Sequence, residues 1–165
     1  MRNSWRLCLL LCFVLFAFTA CTTQNTVSEK EMVKKLRSTN QYVLCIMDAD
    51  TGTIIQSKNS LQSNEKLDVS FLVKKVAERL QLDVSPVNFS NEKDKLIICL
   101  PGNASVVQND SIKVKTAFFS SVANTIKTND VDGEYGDEDY IEFSVDGKPY
   151  YVYEMATDQL ISLKR

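Results

Sequence analysis

The feature that most constrains the fold is one amphipathic helix set among short runs of β-prone residues. Between residues 68 and 80, apolar side chains recur at intervals of three and four, which places them along one side of a helix. Asp68 precedes the first of them and is predicted to cap the helix. A second helix is predicted over about 112–127. The stripe on the first helix consists of Val69, Leu72, Val73, Val76, Ala77 and Leu80.

Six segments are predicted as strands from their apolar, β-branched and aromatic content. They cover residues 42–47, 53–56, 87–89, 95–100, 141–145 and 148–153. Segment 95–100 is nearly all apolar, which is typical of a central strand buried on both faces. Pro149 favours an edge position for segment 148–153, because proline cannot donate to a neighbouring strand. Residues 157–162 are predicted as one helical turn.

This order predicts a single α/β (α+β) domain over residues 41–165, with the order β-α-β-β-α-β. Two helices on one face of a small mixed sheet would bury one core. Asp146-Gly147 is predicted as a tight turn. Asp48 and Asp50 also fit a turn, because aspartate bonds to nearby backbone groups; paired acid–base chemistry is the less favoured interpretation of that spacing.

The first twenty residues have the pattern of an export signal. Arg2 and Arg6 are followed by an uncharged apolar run that ends at Ala20, and the run is shorter than the ~20 residues that span a bilayer. Cys21 stands where a bacterial lipoprotein carries its acylated cysteine. We therefore expect a signal peptide over 1–20, lipidation at Cys21, a polar tether over 21–40 and an extracytoplasmic domain anchored to the cell membrane by lipid. The alternative is ordinary secretion with a free Cys21.

The chain of 165 residues contains no histidine. This absence excludes Ser-His and Cys-His nucleophile pairs, histidine bases and histidine metal ligands. The net charge is −2, and it becomes −4 if Arg2 and Arg6 leave with the signal peptide. Such a mildly acidic chain has no electrostatic reason to bind nucleic acid. We expect no cofactor and no enzymatic activity.

Cys45 and Cys99 each lie inside an apolar run that is predicted as a buried strand. The simpler interpretation is two separate core thiols, because cysteine is among the most buried residue types. A disulfide between them is the alternative. It requires neighbouring strands with facing side chains and an oxidising compartment.

One acidic loop, over residues 130–139, is a weak candidate for a calcium site. Oxygen ligands would come from Asp130, Asp132, Glu134 and Asp139. The match to a calcium-binding loop is incomplete, since a strand is predicted where a helix should follow. A solvated loop with mutually repelling charges is the alternative interpretation. An extracytoplasmic ligand- or calcium-binding lipoprotein is therefore the second hypothesis for function.

Three tyrosines, Tyr150, Tyr151 and Tyr153, lie on the segment that is predicted as an edge strand. Tyrosine is favoured at protein interfaces because it joins a large apolar ring to a polar tip. We therefore predict these residues as a candidate interface. Covering the rim of the core is the alternative role.

Residues 42 to about 163 resemble the GerMN domain of bacterial sporulation and germination lipoproteins. The likeness rests on the opening strand 42–47 with its acidic turn, the strand pair 84–90 and 95–100, the Ser-Val-Ala-Asn-Thr-Ile helix end 121–126 followed by 140–148, and the tail 154–161. The resemblance implies a βαββαβ fold without catalytic residues. It also implies envelope or sporulation-type assembly through self-association or a protein partner.

Overall fold

The computed structural model describes residues 40–92, 94–129 and 140–163. These residues belong to one unit, which runs over Val33–Arg165. Its elements, in chain order, are β1 (Gln41–Met47), β2 (Ile54–Ser60), α1 (Val69–Arg79), β3 (Asn88–Glu92), β4 (Lys95–Leu100), α2 (Ser105–Gln108), α3 (Ile112–Asn129), β5 (Tyr140–Val145), β6 (Lys148–Glu154) and β7 (Gln159–Ser162). The predicted α/β class and the approximate order of elements are confirmed.

The strands form two sheets. β1 and β2 make an antiparallel pair, and the second sheet has the order β3-β4-β5-β6-β7. Within it, β4 and β5 are parallel and the other neighbours are antiparallel. A parallel pair requires a long connection, and α2 and α3 lie in the connection between β4 and β5. The mixed sheet is therefore as predicted, whereas the separate opening hairpin was not.

The helices α1 and α3 share one hydrophobic core with one face of the larger sheet. Leu96, Ile98 and Leu100 point into this core, and their neighbours Ile97 and Cys99 are half-buried on the opposite face. The expectation that β4 is buried on both faces is therefore wrong. The residues of its continuous apolar run alternate between a fully buried face and a partly buried face of the sheet.

Helix α1 begins and packs as its sequence predicts. Asp68 Oδ1 accepts a hydrogen bond from the Phe71 N–H over 2.8 Å, which satisfies one of the free donors of the first turn. The apolar stripe is buried from Val69 to Ala77. Each valine or leucine of this stripe stabilises the fold by about 1.5–3 kcal/mol when its side chain is fully buried.

The end of the chain differs from expectation in two ways. Residues 159–162 form strand β7, not a helical turn, because they pair with β6. As a consequence β6 is an interior strand, and the predicted edge position of segment 148–153 is wrong. Pro149 is tolerated because it lies beside a bulge, where the register shifts between Phe143 and Ser144.

Candidate association surface

Strand β1 carries β2 on one edge and the side chains of helix α3 on the other. The backbone N–H groups of alternate residues point at α3 and are accepted by three polar side chains. The pairs are Val43 with Asn129 Oδ1 at 2.9 Å, Cys45 with Thr125 Oγ1 at 2.9 Å, and Met47 with Ser121 Oγ at 2.8 Å. We call Ser121, Thr125 and Asn129 the side-chain ladder.

The ladder works because the two elements have nearly the same repeat. Four residues of an α-helix rise about 6.0 Å, and two residues of a strand advance about 6.6 Å. Side chains four apart on α3 therefore meet backbone groups two apart on β1, with the two elements running in opposite directions. This edge of β1 is closed to any further strand at Val43, Cys45 and Met47.

The opposite edge of the hairpin, on β2, is open in the part of the chain that the structure describes. Every residue of β2 except Asn59 is exposed. The β1–β2 register pairs Tyr42 with Asn59 and Leu44 with Ser57. Since the N–H groups of residues 43, 45 and 47 point at α3, the even-numbered residues of β1 make the hydrogen bonds to β2. Their partners are the odd-numbered residues of β2, so the backbone N–H and C=O groups of the even-numbered residues of β2 point outward.

The backbone groups on this open edge belong to four residues, Ile54, Gln56, Lys58 and Ser60. A strand edge of this kind is a template for pairing with another chain unless it is blunted by a bulge, a proline or charged side chains, lysine above all. β2 is paired in continuous register over all seven residues and carries one charge, on Lys58. The edge strands of the larger sheet are shorter, with five residues in β3 and four in β7.

Two isoleucines add apolar surface at the start of β2. Ile54 is 36% exposed and Ile55 is 62% exposed. Isolated exposed apolar residues are ordinary, but two adjacent ones at an unpaired strand edge provide contacts on both faces of an added strand. The open edge of β2 is therefore a candidate association surface.

The turn that joins β1 to β2 is held by one carboxylate. Asp48 Oδ1 accepts from the N–H groups of Asp50 and Thr51 at 3.0 and 2.7 Å, and from the Thr51 hydroxyl. These hydrogen bonds, the Thr51 N–H first, lower the pKa of Asp48. Asp50 is ion-paired with Lys113 at 3.0 Å. The predicted turn role of Asp48 is confirmed, and the turn fixes where β2 begins.

The three tyrosines do not lie on an open strand. Tyr151 is 6% exposed, Tyr153 is 1% exposed, and both belong to the core, while Tyr150 is half-buried against it. The ring of Tyr151 stacks on Phe119 with centroids 4.6 Å apart. These residues cover the core, which was the alternative interpretation. Their role as an interface stays a prediction, without the edge strand on which it was based.

Tyr153 instead anchors the turn between β6 and β7. Its hydroxyl donates to Asp158 Oδ1 over 2.9 Å, and Lys127 Nζ reaches the same oxygen over 2.8 Å. Burial, together with the Asp158 carboxylate, raises the pKa of Tyr153 far above its ordinary value. The lysine, in turn, lowers the pKa of Asp158. The cluster ties the C-terminal hairpin to α3.

The two described cysteines are free thiols. Cys45 lies in the hairpin, where burial raises the pKa of its thiol and Thr128 Oγ1 lies 3.3 Å from its Sγ. Cys99 lies in the larger sheet and accepts a hydrogen bond from the Ser144 hydroxyl over 3.2 Å. Two separate thiols were the simpler expectation, and that expectation agrees with these contacts.

Other predicted sites fall outside the described residues. Cys21 is one of them, and the candidate calcium ligands Asp130, Asp132, Glu134 and Asp139 are the others. Within residues 40–92, 94–129 and 140–163, no group of three or more acidic or cysteine side chains is placed to hold a metal ion. The lipidation and calcium hypotheses therefore stay predictions.

The side-chain ladder was not predicted from the sequence. The second helix was predicted to end at about residue 127, before Asn129, whereas α3 extends to Asn129. The available signal was the recurrence of Ser121, Thr125 and Asn129 at intervals of four along the second helix. Polar residues at that spacing form a second stripe on a helix.

Comparisons with protein-family models, with curated proteins and with solved structures found no match. The resemblance to the GerMN domain therefore stays a prediction. Among the described residues, none of the helices has the length and apolar character needed to cross a membrane.

Proposed function

We propose that this chain is a non-catalytic, membrane-anchored lipoprotein whose domain associates with protein at the cell envelope through the open edge of β2. The observation that carries the proposal is the difference between the two edges of one hairpin. One edge is closed by the side chains of Ser121, Thr125 and Asn129. The other is the unpaired edge of β2, a strand of seven residues in regular register with β1, six of them exposed.

Addition of a strand to this edge is a known mode of protein recognition. The main chain of β2 would supply hydrogen bonds at Ile54, Gln56, Lys58 and Ser60, and the side chains would set the choice of partner. Net affinity from such bonds is modest, at about 0.5–1.5 kcal/mol each, because water competes for the same groups. The two exposed isoleucines would add apolar contact area.

Anchoring at Cys21 would make weak pairing effective. Confining two partners to one membrane raises their effective concentration and converts a weak contact into a populated one. Replacement of Cys21 by alanine should release the protein from the membrane fraction. If the Cys21→Ala protein stayed in the membrane fraction to the same extent, the lipid anchor would be rejected.

Gln56→Pro tests the association itself. The Gln56 N–H points away from β1, so proline at this position removes an outward donor without breaking the β1–β2 pairing. Gln56→Ala is the matched control, because it loses the same side chain and keeps the N–H. We expect chemical cross-linking in intact envelopes to give the same cross-linked products for the wild type and Gln56→Ala, and at least about tenfold less for Gln56→Pro.

Both variants should first show the circular dichroism and unfolding midpoint of a folded domain. Undiminished cross-linked products for a folded Gln56→Pro variant would contradict the proposal, because association would then use another surface.

A further inference from the structure

We infer that the occupant of the β2 edge is a second copy of this chain, paired antiparallel about a two-fold axis at Ser57. The inference rests on the proposed function and adds the identity and register of the partner. β2 can pair with a second β2 in only a few antiparallel registers.

Only outward-facing backbone groups can bond across such an interface, so Ile54, Gln56, Lys58 and Ser60 must face one another. A two-fold axis at Ser57 satisfies this rule and gives all seven residues of β2 a partner. Ile54 lies opposite Ser60, and Gln56 lies opposite Lys58. In this register about eight hydrogen bonds form, because each of the four outward-facing pairs exchanges two.

The competing two-fold registers are worse. An axis at Lys58 places two lysines directly opposite each other, and like charges in that position are destabilising. An axis at Gln56 leaves Ser60 without a partner. The axis at Ser57 puts the one charged residue of β2 opposite a neutral amide, so charge and backbone pairing favour the same register.

A second copy also explains why the other edge of the hairpin is closed. The dimer would contain one four-stranded sheet with the order β1-β2-β2-β1, in which each outer edge is covered by the Ser121, Thr125 and Asn129 of its own chain. Such an interface is symmetric and ends after one pairing. An unrelated strand added to β2 would instead leave its own far edge open.

The pairing is short, so the dimer should be weak in dilute solution. Seven residues span about 23 Å, and one strand pair buries less than the ~1,200 Å² of a standard stable interface. Dimers should therefore be populated mainly where the chain is concentrated, as on a membrane.

Ser57→Cys in the full-length chain tests both the partner and the register. In the proposed dimer the two Ser57 residues form a non-hydrogen-bonded pair with Cα atoms about 4.5 Å apart, within the range that a disulfide bridges. Diamide takes up the two thiol hydrogens as the bond forms. We expect a disulfide-linked dimer in envelope membranes, with a 57–57 linked peptide identified by mass spectrometry.

Gln56→Cys and Lys58→Cys are the register controls. Two Gln56 residues, or two Lys58 residues, would be about 8 Å apart across the axis, because each pair is offset by two positions along the strands. Each variant alone should therefore give at least about tenfold less dimer than Ser57→Cys. The two variants co-expressed should link to each other, because position 56 lies opposite position 58.

Absence of the 57–57 peptide, together with equal linking of the three single variants, would overturn the inference. If the 57–57 peptide is absent while Gln56→Pro still abolishes cross-linking to a different envelope protein, the second copy is wrong and the proposed function stands. If Gln56→Pro changes nothing as well, both are wrong. The mixed pair also reports on the dimer should Ser57→Cys fail to fold.

Discussion

Asn129 binds the backbone of Val43 through both atoms of its amide, although the two residues are 86 positions apart. Its Oδ1 accepts from the Val43 N–H at 2.9 Å, and its Nδ2 donates to the Val43 carbonyl at 2.7 Å. A neighbouring strand would offer the same donor and acceptor pair. The side chain of Asn129 therefore takes the place of a peptide group at the edge of β1.

Asn129→Ala should destabilise the domain by about 3 kcal/mol, because two buried backbone groups lose their partners. Equilibrium unfolding in denaturant measures this change. Asn103→Ala is the control, since Asn103 is exposed, and it should change the free energy of unfolding by less than about 0.5 kcal/mol. Equal effects of the two substitutions would contradict the role of Asn129.

Thr125→Val should cost about 1–2 kcal/mol, because it keeps the shape of the side chain and leaves the buried Cys45 N–H without an acceptor. Thr125→Ser keeps the hydroxyl and should cost less than Thr125→Val. The free energies of unfolding of the two variants test this order. The reverse order would show that the methyl group of Thr125, and not its hydroxyl, supports β1.

The raised pKa of Tyr153 predicts a loss of stability in alkaline solution. An unfolded tyrosine loses its proton near pH 10, whereas folded Tyr153 keeps its proton to higher pH. The contribution of Tyr153 to the free energy of unfolding is therefore fully present below about pH 10. Above that pH it falls by up to about 1.4 kcal/mol per pH unit. Tyr153→Phe should make this fall shallower, as measured by unfolding at a series of pH values. An identical slope in the variant would contradict the prediction.

Gly102 and Asp146 should be energetically coupled. The Gly102 N–H donates to Asp146 Oδ1 at 2.9 Å, and a Cβ on Gly102 would lie 3.1 Å from the Asp146 Cγ and closer still to Oδ2. Gly102→Ala should cost about 1–2 kcal/mol.

The same substitution should cost less in an Asp146→Gly background, where the obstructing carboxylate is gone. Glycine is a suitable replacement at position 146, because Asp146 has a positive φ of 49° and begins the tight turn with Gly147. A double-mutant cycle on the free energy of unfolding measures the coupling. Equal costs of Gly102→Ala in the two backgrounds would contradict it.

The parts of the fold that were predicted correctly depend on nearby residues. The stripe from Val69 to Ala77, the Asp68 cap and the Asp146-Gly147 turn each follow from residues within one or two turns of chain. Local chemistry is sufficient for such features.

The parts that were missed depend on residues far apart in sequence. Strand β7 exists because residues 159–162 lie against β6, and the short segment alone does not favour a strand over a helical turn. The length of β2 beyond residue 56 likewise follows from its pairing with β1. The side-chain ladder joins residues of β1 and α3 that are about 80 positions apart in sequence, and no local pattern in the sequence of β1 predicts it. The proposed association surface could not be located from the sequence, because only the tertiary structure shows which edge of the β1–β2 hairpin is closed and which is open.

Amide hydrogen exchange, resolved by residue, tests the central claim most directly. In dilute protein, the N–H groups of Val43, Cys45 and Met47 should be protected by the ladder, and those of Ile54, Gln56, Lys58 and Ser60 should exchange rapidly. At high concentration, or on membranes, the four amides of β2 should slow while the three of β1 stay unchanged. If the outward amides of β2 exchange equally fast under both conditions, or if the three amides of β1 are unprotected, the account is contradicted.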